Sequence, residues 1–191
     1  MKELKRSLII LALFTILTGL LYPLGVTVIA KLFFSQKAEG SLIVQDGNIV
    51  GSELIGQSFS DPRYLWGRLS ATTPAYNAAA SSGSNLGPSN PALIDNAKIR
   101  VEALKAADPH NSKLIPIDLA TASASGLDPH ISPAAADYQV ARIAQANHTT
   151  EDQIRKIIYS HTEGRTFGIL GEPRVNVLSV NLELRKTYSI Q

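Results

Sequence analysis

The sequence predicts an α+β protein: one N-terminal transmembrane helix followed by a single small α+β extracytoplasmic domain. Three observations carry that expectation. The chain opens with a long uncharged apolar run. Cap residues and helical spacing recur through its middle. Apolar and polar residues alternate near its C-terminal end.

Ser7 to Ala30 is a run of 24 residues without a formal charge. As a helix it spans roughly 36 Å, against a hydrocarbon core of about 30 Å, so it crosses a bilayer with some tilt. Pro23 and Gly25 would break a soluble helix. In a membrane they are tolerated where the freed backbone groups find other partners. Tyr22 stands away from both ends, either against a partner or buried in lipid. Val28 and Ala30 would suit a signal cleavage site, but signal h-regions run about 7–15 residues. The run therefore reads as a retained anchor. Lys2, Lys5 and Arg6 precede it and Lys31 and Lys37 follow it, a bias toward a cytoplasmic N-terminus. The expected organisation is residues 1–6 in the cytoplasm, 7–30 across the bilayer and 31–191 as a soluble α+β domain outside.

Leu42–Gln45 and Ile49–Val50 flank Asp46-Gly47-Asn48 and predict a hairpin. Tyr64–Leu69, with the lone tryptophan Trp66, predicts a strand. Residues 71–91 are rich in Ser, Asn, Gly and Pro, a loop too long for a plain connector. Asn90-Pro91 reads as an N-cap followed by Pro at the first helical position. Leu93, Ile94, Ala97, Val101 and Leu104 then follow at helical spacing, and Asp108-Pro109 ends the helix. Leu114–Leu119 predicts a short edge strand, and residues 121–133 a second irregular loop. Ser132-Pro133 repeats the cap signature and opens a helix to about Ala146. Thr150-Glu151-Asp152-Gln153 is a capping box, with Ile154, Ile157 and Ile158 behind it and Gly164 as the stop. Leu178, Val180, Leu182 and Leu184 alternate with polar residues, which predicts a final strand with a phase change near Val177.

Composition narrows the function. The net charge is +2, and residues 31–191 carry 15 basic and 15 acidic side chains. Such a balance lacks the basic stripe of a nucleic-acid binder. The absence of cysteine excludes disulfides, thiol nucleophiles and Cys-based metal sites. No G-x-x-x-x-G-K-[ST] loop occurs. Gly164-Arg165-Thr166-Phe167-Gly168 lacks its spacing and reads as a turn into a strand rather than a phosphate cradle. His110, His130, His148 and His161 show no metal-ligand spacing. The loop serines lie outside any G-x-S-x-G motif, and Asp128 with His130 is the first pair to test for a serine triad. No catalytic residue, metal ligand or cofactor-binding residue is therefore assigned. The two polar loops fit protein contact better than catalysis. A membrane-tethered envelope hydrolase using a loop serine is the alternative.

Several long stretches carry a family resemblance. They are Gly56-Gln57-Ser58-Phe59, Tyr64-Leu65-Trp66-Gly67-Arg68, Tyr76-Asn77 leading into residues 81–85, residues 87–91, residues 122–133 and residues 164–177. On these motifs the chain resembles the KdpC family, the C subunits of the bacterial Kdp high-affinity potassium-transporting P-type ATPases. One departure is Ala124, where many members carry Gly; Ala there implies a backbone outside the left-handed region. The resemblance implies a non-catalytic accessory subunit in the bacterial inner membrane. Its implied partners are a channel-like potassium-binding subunit, a P-type ATPase subunit, a small single-span subunit and the lipid bilayer. ATP and potassium are then handled by the complex. The family is also described as a catalytic chaperone that raises the ATP affinity of the ATPase subunit, which implies nucleotide binding somewhere in the assembly. No Asp-Lys-Thr-Gly-Thr loop is present, so this chain is not the phosphorylated subunit. The candidate partner contacts lie on the two loops: Tyr76, Asn77, Ser84, Asn85, Asn90, Ser123, Ser125, Asp128 and His130.

Overall fold

The structure, a computed structural model, describes residues 1–190. The chain divides into two compact units, Met1–Val50 and Gly51–Gln191.

In the first unit, α1 (Lys2–Ile16), a π-helical turn (Leu17–Leu21) and α2 (Tyr22–Phe33) run without interruption. The 32-residue helix Lys2–Phe33 has a mean hydropathy of 2.2 and is long and apolar enough to cross a membrane. It is longer than the 7–30 span at both ends, taking in residues 2–6, where Arg6 bonds Glu3 at 2.8 Å, and residues 31–33 with Lys31. The π turn sits just before Pro23, and the Tyr22 N–H reaches back to the Leu17 carbonyl. A proline cannot supply an i−4 hydrogen bond, and a wider turn accommodates it inside the chain. A short helix, α3 (Ser35–Ala38), follows. The hairpin of β1 (Leu42–Gln45) and β2 (Asn48–Ser52) forms as its sequence predicts. Asp46 at φ +50° and Gly47 at φ +79° give the doubly positive turn whose twist matches the strands.

The second unit contains α4 (Pro91–Ala107), α5 (Ile117–Ala120), β3 (His130–Ile131), α6 (Pro133–Tyr138) and α7 (Val140–Ala146). It continues with α8 (Glu151–Ser160), β4 (Thr162–Glu163), β5 (Arg174–Asn176) and α9 (Val177–Tyr188). The sheet order is β3-β5-β4, with β5 antiparallel to both neighbours. Val175 faces Ile131 on one side and Thr162 on the other. Leu65, Leu104, Leu119, Ile143, Ile154, Val175, Val180 and Leu184 are buried in one core.

Local signals placed the caps. Asn90, Ser132 and Thr150 each accept the backbone N–H expected of an N-cap. Four expectations need correction. The C-terminal segment is a helix, α9, not a strand. Its buried set is Val177, Leu178, Val180, Asn181 and Leu184, a helical spacing that includes one polar residue. The phase change near Val177 is the passage from β5 into α9, capped by the Asn176 side chain on Ser179 N at 3.0 Å. Leu114–Leu119 is not a strand either; Pro116 caps α5, and Leu114 is 93% exposed. The helix from Pro133 breaks at Gln139, whose side chain turns inward. Finally, among the described residues Tyr64–Leu69 forms no ladder beyond a parallel bridge of Leu69 with Ala122. Two side-chain amides take the place of a strand. Asn181 accepts from Leu65 N at 2.7 Å and donates to its carbonyl at 2.9 Å. Gln139 treats Trp66 the same way, at 2.9 and 3.1 Å.

Candidate functional site

The two irregular loops, 44 residues apart at Ser81 and Ser125, are one structure. The Ser82 N–H donates to the Ser125 carbonyl at 3.0 Å, and the Ser81 hydroxyl donates to the same oxygen at 3.0 Å. Ser70 Oγ donates to the Gly126 carbonyl at 2.6 Å and accepts from Tyr76 N at 2.8 Å. Gly126 sits at φ +67°, and a Cβ there would lie 2.6 Å from the Ser82 carbonyl. A Cβ on Gly83 would lie 2.7 Å from the Ala124 carbonyl. Glycine is thus required where the loops cross. Ala124 is not among the residues with positive φ, as its substitution for Gly implied.

Tyr76 anchors the first loop. It adopts φ +60°, its ring lies against Gly56, and its hydroxyl donates to the Arg68 carbonyl at 2.7 Å. Burial pushes the Tyr76 phenol up, so it stays a donor at neutral pH. Asn77 Oδ1 accepts from Ala79 N at 3.1 Å, and its amide donates to the Thr73 carbonyl at 3.2 Å.

Asp128 anchors the second loop. Its carboxylate accepts from His130 N at 3.0 Å and from Arg68 Nη1 at 3.2 Å, with His130 Nδ1 at 3.7 Å. Burial alone would raise the Asp128 carboxyl. The His130 contacts and the Arg68 guanidinium outweigh it and hold the group below the ordinary carboxylate value. No serine hydroxyl is hydrogen-bonded to His130 among the described residues, so the pair gives no support to a serine triad.

The nine candidate contacts therefore separate. Ser84, Asn85, Asn90 and Ser125 are exposed, although the Asn90 side chain is engaged in capping α4. Tyr76, Asn77, Asp128 and His130 are half-buried, and Ser123 is buried, at 4% exposure. The inner set holds the loops in shape; the outer set faces solvent.

The Gly164–Gly168 stretch lies between β4 and β5. The N–H groups of Thr166 and Leu170 each donate to the other residue's carbonyl, at 2.9 and 3.0 Å. Gly168 N and Ile169 N are likewise bonded within the turn. These donors are turned inward on the chain, so they form no anion cradle.

Sequence reasoning assigned no role to two cations around Trp66. Arg100 and Arg142 place their guanidinium carbons 5.3 and 4.4 Å from its ring centroid. Arg142 donates to the Pro62 and Tyr64 carbonyls and to Gln139 Oε1. Burial pushes its guanidinium down to about 10. The available signal was an arginine on the apolar face of each predicted helix, Arg100 three and four residues from Ala97 and Leu104, and Arg142 four residues from Tyr138 and Ala146.

Residues 4–186 match the sequence model of a family described as KdpC, K+-transporting ATPase, c chain. A potassium-transporting ATPase KdpC subunit of Dechloromonas aromatica is 60% identical over 186 residues, 96% of this chain and 97% of that protein. The corresponding subunit of Methylococcus capsulatus is 58% identical, over 94% of this chain and 95% of its own length. That of Herpetosiphon aurantiacus is 57% identical over 97% of each.

Proposed function

The chain belongs to the KdpC family, a subunit of a potassium-transporting ATPase rather than an independent catalyst, and from that premise we propose how it serves the complex. It is an accessory subunit that assembles and stabilises the pump. Its N-terminal helix anchors it in the bacterial inner membrane with Lys2, Lys5 and Arg6 on the cytoplasmic side. Its α+β domain lies outside and docks on the channel-like potassium-binding subunit. The ATPase subunit and the small single-span subunit complete the assembly.

One observation carries this reading: the two loops are zipped into a single preorganised polar surface. A surface already ordered by Ser82–Ser125 and Ser70–Gly126 bonds loses little entropy on docking. The exposed residues Ser84, Asn85 and Ser125 then make the contact, and Tyr76, Asn77, Ser123, Asp128 and His130 keep its shape. The gain in ATP affinity described for the family comes by coupling. A contact outside that favours one conformer of the pump also favours the ligand that conformer binds.

Topology tests the reading first. Ser84→Cys and Ser125→Cys each place one thiol in a cysteine-free chain at an exposed site. Labelling of both in intact cells by a membrane-impermeant thiol reagent is the expected result. Labelling only after lysis would put the domain in the cytoplasm and overturn the proposal. A double Ser84→Arg, Asn85→Asp variant should fold normally yet lose about tenfold in recovery of the other subunits on co-purification.

A further inference from the structure

A groove of about 440 Å³ runs beneath α4. Such a volume is in the range of small-molecule sites, about 300–1,000 Å³. One wall is the helix face carrying Leu93, Ala97 and Arg100; the others carry Leu69, Leu86 and Ala122. Helix α4 has 17 residues, yet only Leu104 is fully buried. Ile99, which lines the groove, remains 66% exposed.

The groove carries one cation. Arg100 Nε donates to the Leu119 carbonyl at 3.1 Å, and Nη2 donates to the Gly67 carbonyl at 2.8 Å. Among the described residues its Nη1 makes no hydrogen bond and no carboxylate pairs with it. Arg142 differs: it is 4% exposed, and both its terminal nitrogens are bonded. A half-buried guanidinium without a counter-ion, in an apolar groove, complements an anion attached to an apolar body.

We propose that the groove binds a carboxylate-headed amphiphile of the fatty-acid type, its chain along α4 and its carboxylate on Arg100. Of the three exposed loop contacts only Ser84 also lines the groove, and neither reading depends on the other.

The lone tryptophan reports on it. Trp66 lies 5.3 Å from the Arg100 guanidinium, so a heavy atom beside the bound carboxylate quenches its fluorescence. The probe is 2-bromododecanoic acid, added to the full chain in lipid nanodiscs. The chain has no thiol for that reagent to alkylate. Saturable quenching is expected, with the matching bromo-alcohol at least about tenfold weaker, the worth of one charge-assisted bond. Ala97→Phe fills the groove and should abolish the quenching without lowering the melting temperature. Arg100→Gln should weaken acid binding to the level of the alcohol. Equal, non-saturating quenching by acid and alcohol, or quenching that survives Ala97→Phe, would mean partition into the bilayer and overturn the site. Saturable quenching by both with equal strength, lost in Ala97→Phe, would mean an apolar pocket that does not select a carboxylate and overturn the carboxylate assignment. The acid–alcohol comparison and Ala97→Phe decide the matter even if Arg100→Gln fails to fold.

Discussion

Asn181 is 2% exposed, and its amide spans both backbone groups of Leu65. Asn181→Leu would leave a buried N–H and a buried carbonyl unpaired, at about 1–3 kcal/mol each. We expect a loss of about 2–5 kcal/mol in urea unfolding of the full chain, with the urea dependence unchanged. Asn181→Asp keeps the acceptor for Leu65 N but loses the donor and buries a carboxyl, so it should also destabilise the chain. A loss near zero for Asn181→Leu would show that water reaches this edge. Asp128 supplies a prediction with a sign. Its carboxyl is held below the ordinary value, so the folded chain binds fewer protons than the unfolded chain in that window. Its contribution is complete above the unfolded value of about 4 and fades as pH falls through the lower, folded value. Melting temperature should therefore fall between pH about 5 and 3, and Asp128→Asn should flatten that fall while lowering stability at neutral pH. An unchanged slope in Asp128→Asn would show that other carboxylates govern acid unfolding.

Helix caps were legible because a cap is local: Asn90, Ser132 and Thr150 each bond a backbone N–H two or three residues on. Helix α9 was not legible. Leu178, Val180, Leu182 and Leu184 mimic a two-residue period, and Asn181 reads as solvent-facing until its partner, 116 residues away, is seen. The apparent strand at Tyr64–Leu69 failed for the same reason from the other side, since side chains of α9 and of the turn before α7 supply its hydrogen bonds. The loops were legible as loops from their Ser, Asn and Gly content. Their union through Ser82 and Ser125 was not, because nothing in either segment names the other. Cap strength tests the same distinction. Asn90→Ala removes one exposed cap bond and should cost about 1 kcal/mol. Asn176 is 5% exposed, caps α9 and also donates to the Glu53 carbonyl at 2.9 Å. Asn176→Ala should cost about 2–3 kcal/mol, because a tertiary bond is lost with the cap. Equal losses in denaturant titrations of the two variants would remove the tertiary share.

At the scale of the whole molecule, the core and the anchor draw on different stretches of chain. The core cluster and the side chains packed on it run from Phe59 to Ile190, with no residue from the first 50. The long apolar helix ends at Phe33, and its most apolar stretch has no buried residue. An apolar helix with no buried residue in its most apolar stretch suits lipid as its solvent, and a close-packed core suits water, so each has its own requirement for burying apolar surface. The second unit has about 140 residues, long enough to bury roughly two-thirds of its unfolded surface by itself. We therefore expect a fragment beginning at Gly51 to be soluble and to unfold in one cooperative step. Its midpoint should lie within a few degrees of that of the full chain's domain, since a difference of 1 kcal/mol moves a domain of this size by about 2–8 °C. Calorimetry of the fragment beside the full chain in nanodiscs measures this directly. A fragment that melts broadly or aggregates would show that the first 50 residues do more than attach the domain to a membrane.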